Sequence, residues 1–228
     1  MNTQPIEKRH PGSGHHLDIV SIFPTIQGEG PFTGHRAIFV RLAGCNLQCP
    51  GCDTDYTSGR EKQHVGDICR SIIEHGEAPR LVVITGGEPF RQNISVLANG
   101  LIAMGYDVQI ETNGTLPPSP GLSEQVCVVC SPKAGKLNKV IADRADCFKY
   151  VMHADSVADD GLPILALDHS AKPRVARPPS GSKVPVYLQP MDSQNIAQNH
   201  RNIAAVVASC MEHGYLLQLQ IHKIVGVE

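Results

Sequence analysis

Five short apolar runs in this chain are each cut off by a polar or glycine-rich cluster. Residues 37–42, 81–84, 108–110, 126–129 and 184–188 are the runs. The clusters that follow include Gly44-Cys45-Asn46, Thr85-Gly86-Gly87-Glu88-Pro89, Glu111-Thr112-Asn113-Gly114-Thr115, Ser131-Pro132-Lys133 and Gln189-Pro190-Met191-Asp192. An unbroken apolar run such as Leu81-Val82-Val83-Ile84 suits a parallel strand buried on both faces. Residues 17–23, 148–152, 164–167 and 216–221 add further strands, with a loop from Pro24 to Pro31 after the first. Helical spacing fills 65–75, 94–104 and 196–213, with a short helix at 138–145. Strands alternating with helices predict an α/β fold with a parallel sheet. In such folds the chemistry sits where the strands end, which is where the clusters lie. Six or so units are too few to close an eight-stranded barrel, so the expectation is an incomplete, laterally open (β/α)6-type barrel. Residues 1–16 are polar and without periodicity, a flexible tail ahead of a single domain over 17–228.

The cluster after the second strand is Cys45-Asn46-Leu47-Gln48-Cys49-Pro50-Gly51-Cys52, a C-x3-C-x2-C loop followed by Asp53 and Thr54. A structural zinc site takes four protein ligands, commonly as two pairs. The other close pair, Cys127 and Cys130, lies far downstream in an apolar strand whose alternation points the two thiols to opposite faces. With Cys69, Cys147 and Cys210 they read as core residues. A disulfide framework belongs to small secreted domains, not to a 228-residue chain with 41% hydrophobic residues and no apolar leader. Three thiolates with no fourth cysteine nearby leave one iron of a 4Fe–4S cluster open to a small molecule. This spacing resembles that of the radical S-adenosylmethionine superfamily.

Bulk properties remove other classes. A net charge of −2 advertises no nucleic-acid surface, and no run is long enough to cross a bilayer. Eight cysteines in a chain of this kind suit a reducing, cytoplasmic setting.

The remaining clusters narrow the resemblance. Thr25-Ile26-Gln27-Gly28-Glu29-Gly30-Pro31, Arg41-Leu42-Ala43-Gly44-Cys45, Cys52-Asp53-Thr54, the four later clusters and Gln220-Ile221-His222-Lys223 together resemble the 7-carboxy-7-deazaguanine synthase family. The Gln27-Gly28-Glu29-Gly30 loop discriminates most, because many radical enzymes share the cysteines and the Gly-Gly-Glu-Pro segment.

The resemblance implies a lyase of queuosine and 7-deazapurine biosynthesis. Its substrate would be 6-carboxy-5,6,7,8-tetrahydropterin, and its reaction a ring contraction with loss of ammonia. A 5′-deoxyadenosyl radical would take the C6 hydrogen, and S-adenosylmethionine would be regenerated. By the same resemblance Cys45, Cys49 and Cys52 hold the cluster and Thr54 binds Mg2+. S-adenosylmethionine is held by Gly51, Cys52, Asp53, Gly87, Glu88, Ser131, Pro132, Lys133, Gln189, Pro190, Met191 and Asp192. The pterin is held by Ile26, Gln27, Gly28, Glu29, Arg41, Thr85, His222 and the terminal Glu228, with Arg41 pairing to its carboxylate. A reductase such as flavodoxin or ferredoxin and a homodimeric assembly are also implied. Gly51 departs from relatives that place an aromatic residue there against adenine.

The residues leave other readings open. A different radical enzyme on a peptide or sugar would share the cysteines, and an electron-transfer protein would share the cluster. Arg41 reads alternatively as a surface strand residue. Lys172, Arg174 and Arg177, in the basic loop 169–183, suit either a phosphate or solvent.

Overall fold

The computed structural model describes residues 2–76, 80–167 and 174–227. The chain runs β1 (His16–Ile26), β2 (Arg36–Leu42), β3 (Glu61–His64), α1 (Val65–Glu74), β4 (Leu81–Gly86), α2 (Ser95–Ala103) and β5 (Asp107–Thr112). It continues through β6 (Cys127–Cys130), α3 (Lys139–Arg144), β7 (Cys147–Met152), β8 (Val186–Pro190), α4 (Ile196–His213), β9 (Leu216–Leu217) and α5 (Ile221–Val225). All nine strands share one sheet in the order β3-β1-β2-β4-β5-β6-β7-β8-β9. The pairs from β2 to β9 are parallel; β1 pairs antiparallel with both β2 and β3. The two ends, β3 and β9, do not pair with each other, so the sheet is open as expected.

Alternation along the strands sorts the two faces. Ile38, Val40 and Leu42 of β2 and Val82 and Ile84 of β4 join Ile68 and Ile72 of α1 and Leu97 and Leu101 of α2 in the main core. The intervening residues Ala37, Leu81 and Val83 form a second apolar cluster with Phe32 and Phe39 on the inner face. Further along that inner face the residues turn polar: Thr85, Glu111, Lys149 and Gln189 line a cavity. Burial of the outer face anchors the sheet, and the strand ends are left to carry chemistry.

Several expectations are corrected. The 24–26 stretch, read as a loop, stays in β1. β3 is the polar run Glu61-Lys62-Gln63-His64 at the sheet edge, which has no apolar period to reveal it. No strand forms at 164–167. The last strand is two residues long; residues 218–220 are irregular, and α5 begins at Ile221, the last residue of the expected run. The β5–β6 connection carries no helix, so the barrel is less regular than a (β/α)6 repeat.

The amino-terminal tail is docked: Asn2 N–H donates to Pro50 O (3.1 Å), Glu7 N–H to Cys45 O (2.7 Å) and His10 N–H to Arg91 O (2.8 Å). Arg177 is committed to Asp160 (2.7 Å) and to the carbonyls of Pro163 and Val175; Lys172 lies outside the described residues. Cys130 and Cys147 are buried in the sheet, as the core reading required. Among the described residues no helix is long and apolar enough to cross a membrane.

Candidate active site

Three backbone approaches hold the cysteine loop at the end of β2. Gly87 N–H donates to Leu42 O (3.2 Å), Glu88 N–H to Gly44 O (3.0 Å) and Gly44 N–H to Tyr56 O (2.8 Å). A methyl group on Gly87 would lie 2.1 Å from Gly44 O, and one on Gly86, whose φ is 128°, 2.1 Å from Leu42 O. Only glycine lets these two strand ends touch. The loop therefore emerges with Cys45, Cys49 and Cys52 on the wall of a cavity of about 600 Å³.

Among the described residues these are the only cysteines lining it. Burial pushes the Cys45 thiol up to about 12, and raises Cys49 and Cys52 as well. Such thiols ionise only on ligation, when iron displaces their protons. No three His, Cys, Asp or Glu side chains among the described residues are grouped for a single metal ion. An open set of three soft donors fits a face of an iron–sulfur cluster better than a mononuclear zinc site.

The residues expected around S-adenosylmethionine divide. Gly51, Asp53, Gly87, Ser131, Lys133, Gln189, Met191 and Asp192 line the same cavity. Gly51 N–H donates to Leu167 O (2.9 Å), and a side chain there would press on Met191 and Leu167. Gly51 thus answers to close packing on two neighbours, which an aromatic residue would overrun.

Half-buried Lys133 reaches the hydroxyl and carbonyl of Ser131, and desolvation, then Lys149, lowers its pKa. Pro132 and Pro190 are backbone members and do not line the cavity. Glu88 does not line it either. Fully buried, it accepts from Phe90 N–H (3.0 Å), Thr112 hydroxyl (2.7 Å) and Asn113 N–H (2.8 Å). Its carboxyl ties the β4 end to the β5 end through these three bonds.

The floor of the cavity is a charge network. Lys149 of β7 donates to Glu29 and to Glu111 of β5 (3.2 Å). Glu29 accepts also from Gln189 (3.0 Å) and Gln220 (2.7 Å), and Glu111 from Gln27 and Gln109 (3.0 Å each). Burial alone would raise Glu29; the adjacent ammonium and the two amides outweigh it and hold the carboxyl below its ordinary range. Lys149 is likewise raised, because the two carboxylates overcome its desolvation. The Gln189 carbonyl oxygen is buried with no partner, an acceptor available to a ligand N–H.

Other expected pterin contacts are placed less directly. Thr54 and Thr85 line the cavity. Gln27 is buried and supports Glu29, whose N–H donates to its side chain (3.0 Å). His222 packs on Gly28, where a methyl would sit 1.8 Å from its ring, and burial lowers its pKa. Ile26 ends β1. Arg41 shares the inner face with Thr85, its register partner, but does not line the cavity; its guanidinium lies 5.0 Å from the Phe23 ring centre. Glu228 lies outside the described residues.

Sequence reasoning missed Lys149, Gln220 and Lys223, which all line the cavity, and gave Glu111 no role. A signal existed for Lys149: a lone cation inside Cys147-Phe148-Lys149-Tyr150-Val151-Met152 is the kind of interruption that singled out Arg41. Lys223 bonds Asp53 (3.0 Å) and so links α5 to the cysteine loop.

Comparison with known proteins agrees with this geometry. A family described as "4Fe-4S single cluster domain" matches residues 26–110. A 7-carboxy-7-deazaguanine synthase from Rhodospirillum rubrum is 44% identical over 237 residues, covering 98% of this chain and 97% of the relative. The chain belongs to the 7-carboxy-7-deazaguanine synthase family.

A synthase from Rickettsia prowazekii is 38% identical, covering 95% of this chain and 91% of its own. The crystal structure of QueE from Escherichia coli superposes with a TM-score of 0.67 at 25% identity, covering 90% of this chain and 93% of that one.

Proposed function

We propose that this chain converts 6-carboxy-5,6,7,8-tetrahydropterin into 7-carboxy-7-deazaguanine and ammonia. The observation that carries the reading is that one cavity is lined both by three cysteines and by two carboxylates bridged by a lysine. Cys45, Cys49 and Cys52 would hold the 4Fe–4S cluster. When bound with S-adenosylmethionine, the cluster supplies the single-electron chemistry that a C–H bond of this strength requires.

The chain's own residues bind, orient and shield. Glu29, whose carboxyl Lys149 holds below its ordinary range, and Glu111, bonded to the same ammonium, suit the row of N–H donors along one edge of a pterin. The Gln189 carbonyl oxygen adds an acceptor on the same floor. Gly87, Ser131, Lys133, Met191 and Asp192 line the part of the cavity we assign to S-adenosylmethionine. Arg41 answers the substrate carboxylate if its guanidinium turns off Phe23. Thr54, beside Cys52, would take Mg2+ together with substrate oxygens, a hard ion on oxygen ligands. His222 and Glu228 stay in the proposal as pterin contacts. A flavodoxin- or ferredoxin-type reductase, a homodimer and a cytoplasmic setting complete the reading by family resemblance.

The test is anaerobic reconstitution with iron and sulfide, followed by incubation with the pterin, S-adenosylmethionine and a reductant. Mass spectrometry should find a product lighter by one ammonia, and Cys49→Ala should form none. A wild-type protein that binds its cluster, cleaves S-adenosylmethionine and leaves the pterin untouched would refute the substrate. Turnover of a peptide instead would favour a different radical enzyme.

A further inference from the structure

Residues 2–10, ahead of β1, do more than cover a surface. Asn2, Gln4, Glu7 and Arg9 are half-buried, while Thr3, Pro5, Ile6, Lys8 and His10 are exposed. The alternation holds over residues 2–5 and, shifted by one residue, over 6–10, as in two extended stretches laid on the protein. Ile6 makes a parallel bridge with Cys45, and Glu7 N–H donates to Cys45 O.

Gln4 sits at the centre of the contact. Its side-chain amide donates to Thr54 O (2.8 Å), and its side-chain oxygen accepts from Tyr56 N–H (2.7 Å) and the Thr57 hydroxyl (3.2 Å). Its main-chain carbonyl accepts from Gln48 (2.6 Å). Asn2 adds bonds to Pro50 O (3.1 Å) and the Tyr56 hydroxyl (3.3 Å). Farther on, Glu7 pairs with buried Arg91 (3.2 Å), which donates to Ala43 O (2.9 Å) directly before the loop. Cys45, Gln48, Pro50, Thr54, Tyr56 and Thr57 thus each bond the strap directly, and Ala43 bonds Arg91, which the strap holds.

We infer that residues 2–10 are a clamp on the back of the cysteine loop, and that Gln4 is a positioning residue for the three cluster-holding thiols. Apart from the strap, the loop is irregular, with one N–H to carbonyl turn between Cys52 and Cys49 (3.1 Å), two bonds at Gly44, and single bonds from Ala43 to Asp18 O and from Gly51 to Leu167 O (2.9 Å each). A loop of that kind opens locally at low free energy unless its backbone is paired. The Gln4 amide imitates a strand partner, meeting one carbonyl and one N–H two residues apart. The cavity side of the loop stays clear for ligands, since the strap bonds carbonyls and amides rather than thiols. The clamp rests on the cluster assignment and is independent of the pterin.

The test compares wild type with Gln4→Ala and Gln4→Glu. Glu keeps the acceptor for Tyr56 N–H and loses the donor to Thr54 O. All three are reconstituted anaerobically, checked for iron and sulfide content, and exposed to air while the visible absorption of the cluster decays. Spectra of the reduced cluster are recorded by electron paramagnetic resonance with and without S-adenosylmethionine.

Removing the side-chain bonds should let the loop open roughly tenfold more often, so Gln4→Ala should lose its cluster about tenfold faster. Gln4→Glu should fall between, and the S-adenosylmethionine-dependent change in the spectrum should be broader in both variants. If Gln4→Ala does not fold, the comparison of Gln4→Glu with wild type carries the test. Equal decay rates and identical spectra would overturn the clamp. Loss of pterin turnover with normal cluster lifetimes would count against it too, because the fault would then lie elsewhere than in the loop. A failure of wild type to act on the pterin leaves these readouts intact and bears on the substrate alone.

Discussion

Replacing Lys149 by Met tests the buried network at its centre. The ammonium is 5% exposed and bridges Glu29 and Glu111, which have no other cation within bonding distance among the described residues. Met fills the same volume and removes the charge, leaving two carboxylates buried side by side. Removing one partner of a buried pair costs about 3–5 kcal/mol. For a chain of 228 residues, an unfolding entropy of about 2.1 cal/mol/K per residue turns that into a fall in Tm of roughly 6–10 °C.

The loss should depend on pH. In wild type the depressed Glu29 contributes stability above its unfolded value, lost only as pH falls through its low folded value. In the variant Glu29 loses its cation while its burial remains, so its carboxyl rises above the unfolded value and the folded state gains stability as it takes up a proton. The deficit should therefore be full near pH 7.5 and shrink by more than half near pH 5. Calorimetry of the cluster-free protein measures both, and Glu29→Gln added to Lys149→Met should recover part of the fall. A drop under about 2 °C at pH 7.5, or one that does not change with pH, would refute a stabilising charge bridge here.

Three further outcomes follow from other contacts. Gly87→Ala drives a methyl into Gly44 O at 2.1 Å, so the strand ends must part at a cost of roughly 3 kcal/mol, read as lower Tm and reduced iron uptake. Burial raises Glu88 to about 7, so it contributes stability that is complete below its unfolded value near 4.5 and is lost as pH rises through about 7. Between pH 5 and 8 wild-type Tm should fall more steeply than that of Glu88→Gln. Omitting Mg2+ should slow turnover of the reconstituted protein and leave its cluster content unchanged; a rate indifferent to the ion would remove Thr54 from the metal assignment.

Much of the fold could be read directly. Apolar runs and helical periods are local patterns, and residues 196–213 and 81–84 coincided with α4 and the apolar part of β4. The strand-end clusters announced where a site would gather, because a parallel sheet places all its carboxyl ends together. The errors fell where local pattern carries no tertiary information. The polar β3 is a strand because β1 offers it a free edge, and Pro24 stays extended because β2 pairs across it.

Motif spacing was enough to place the three thiols, since eight contiguous residues make up their loop and the glycines that let it turn are near neighbours. The partners of a charge are another matter. Lys149 meets Glu29 and Glu111 across three separate strands or loops, and Gln4 meets Thr54 and Tyr56 across some fifty residues. Nothing in the neighbourhood of either residue along the chain marks those encounters. They exist because strand order and packing withdraw distant polar groups wholly or partly from solvent, where each must find a partner or cost stability.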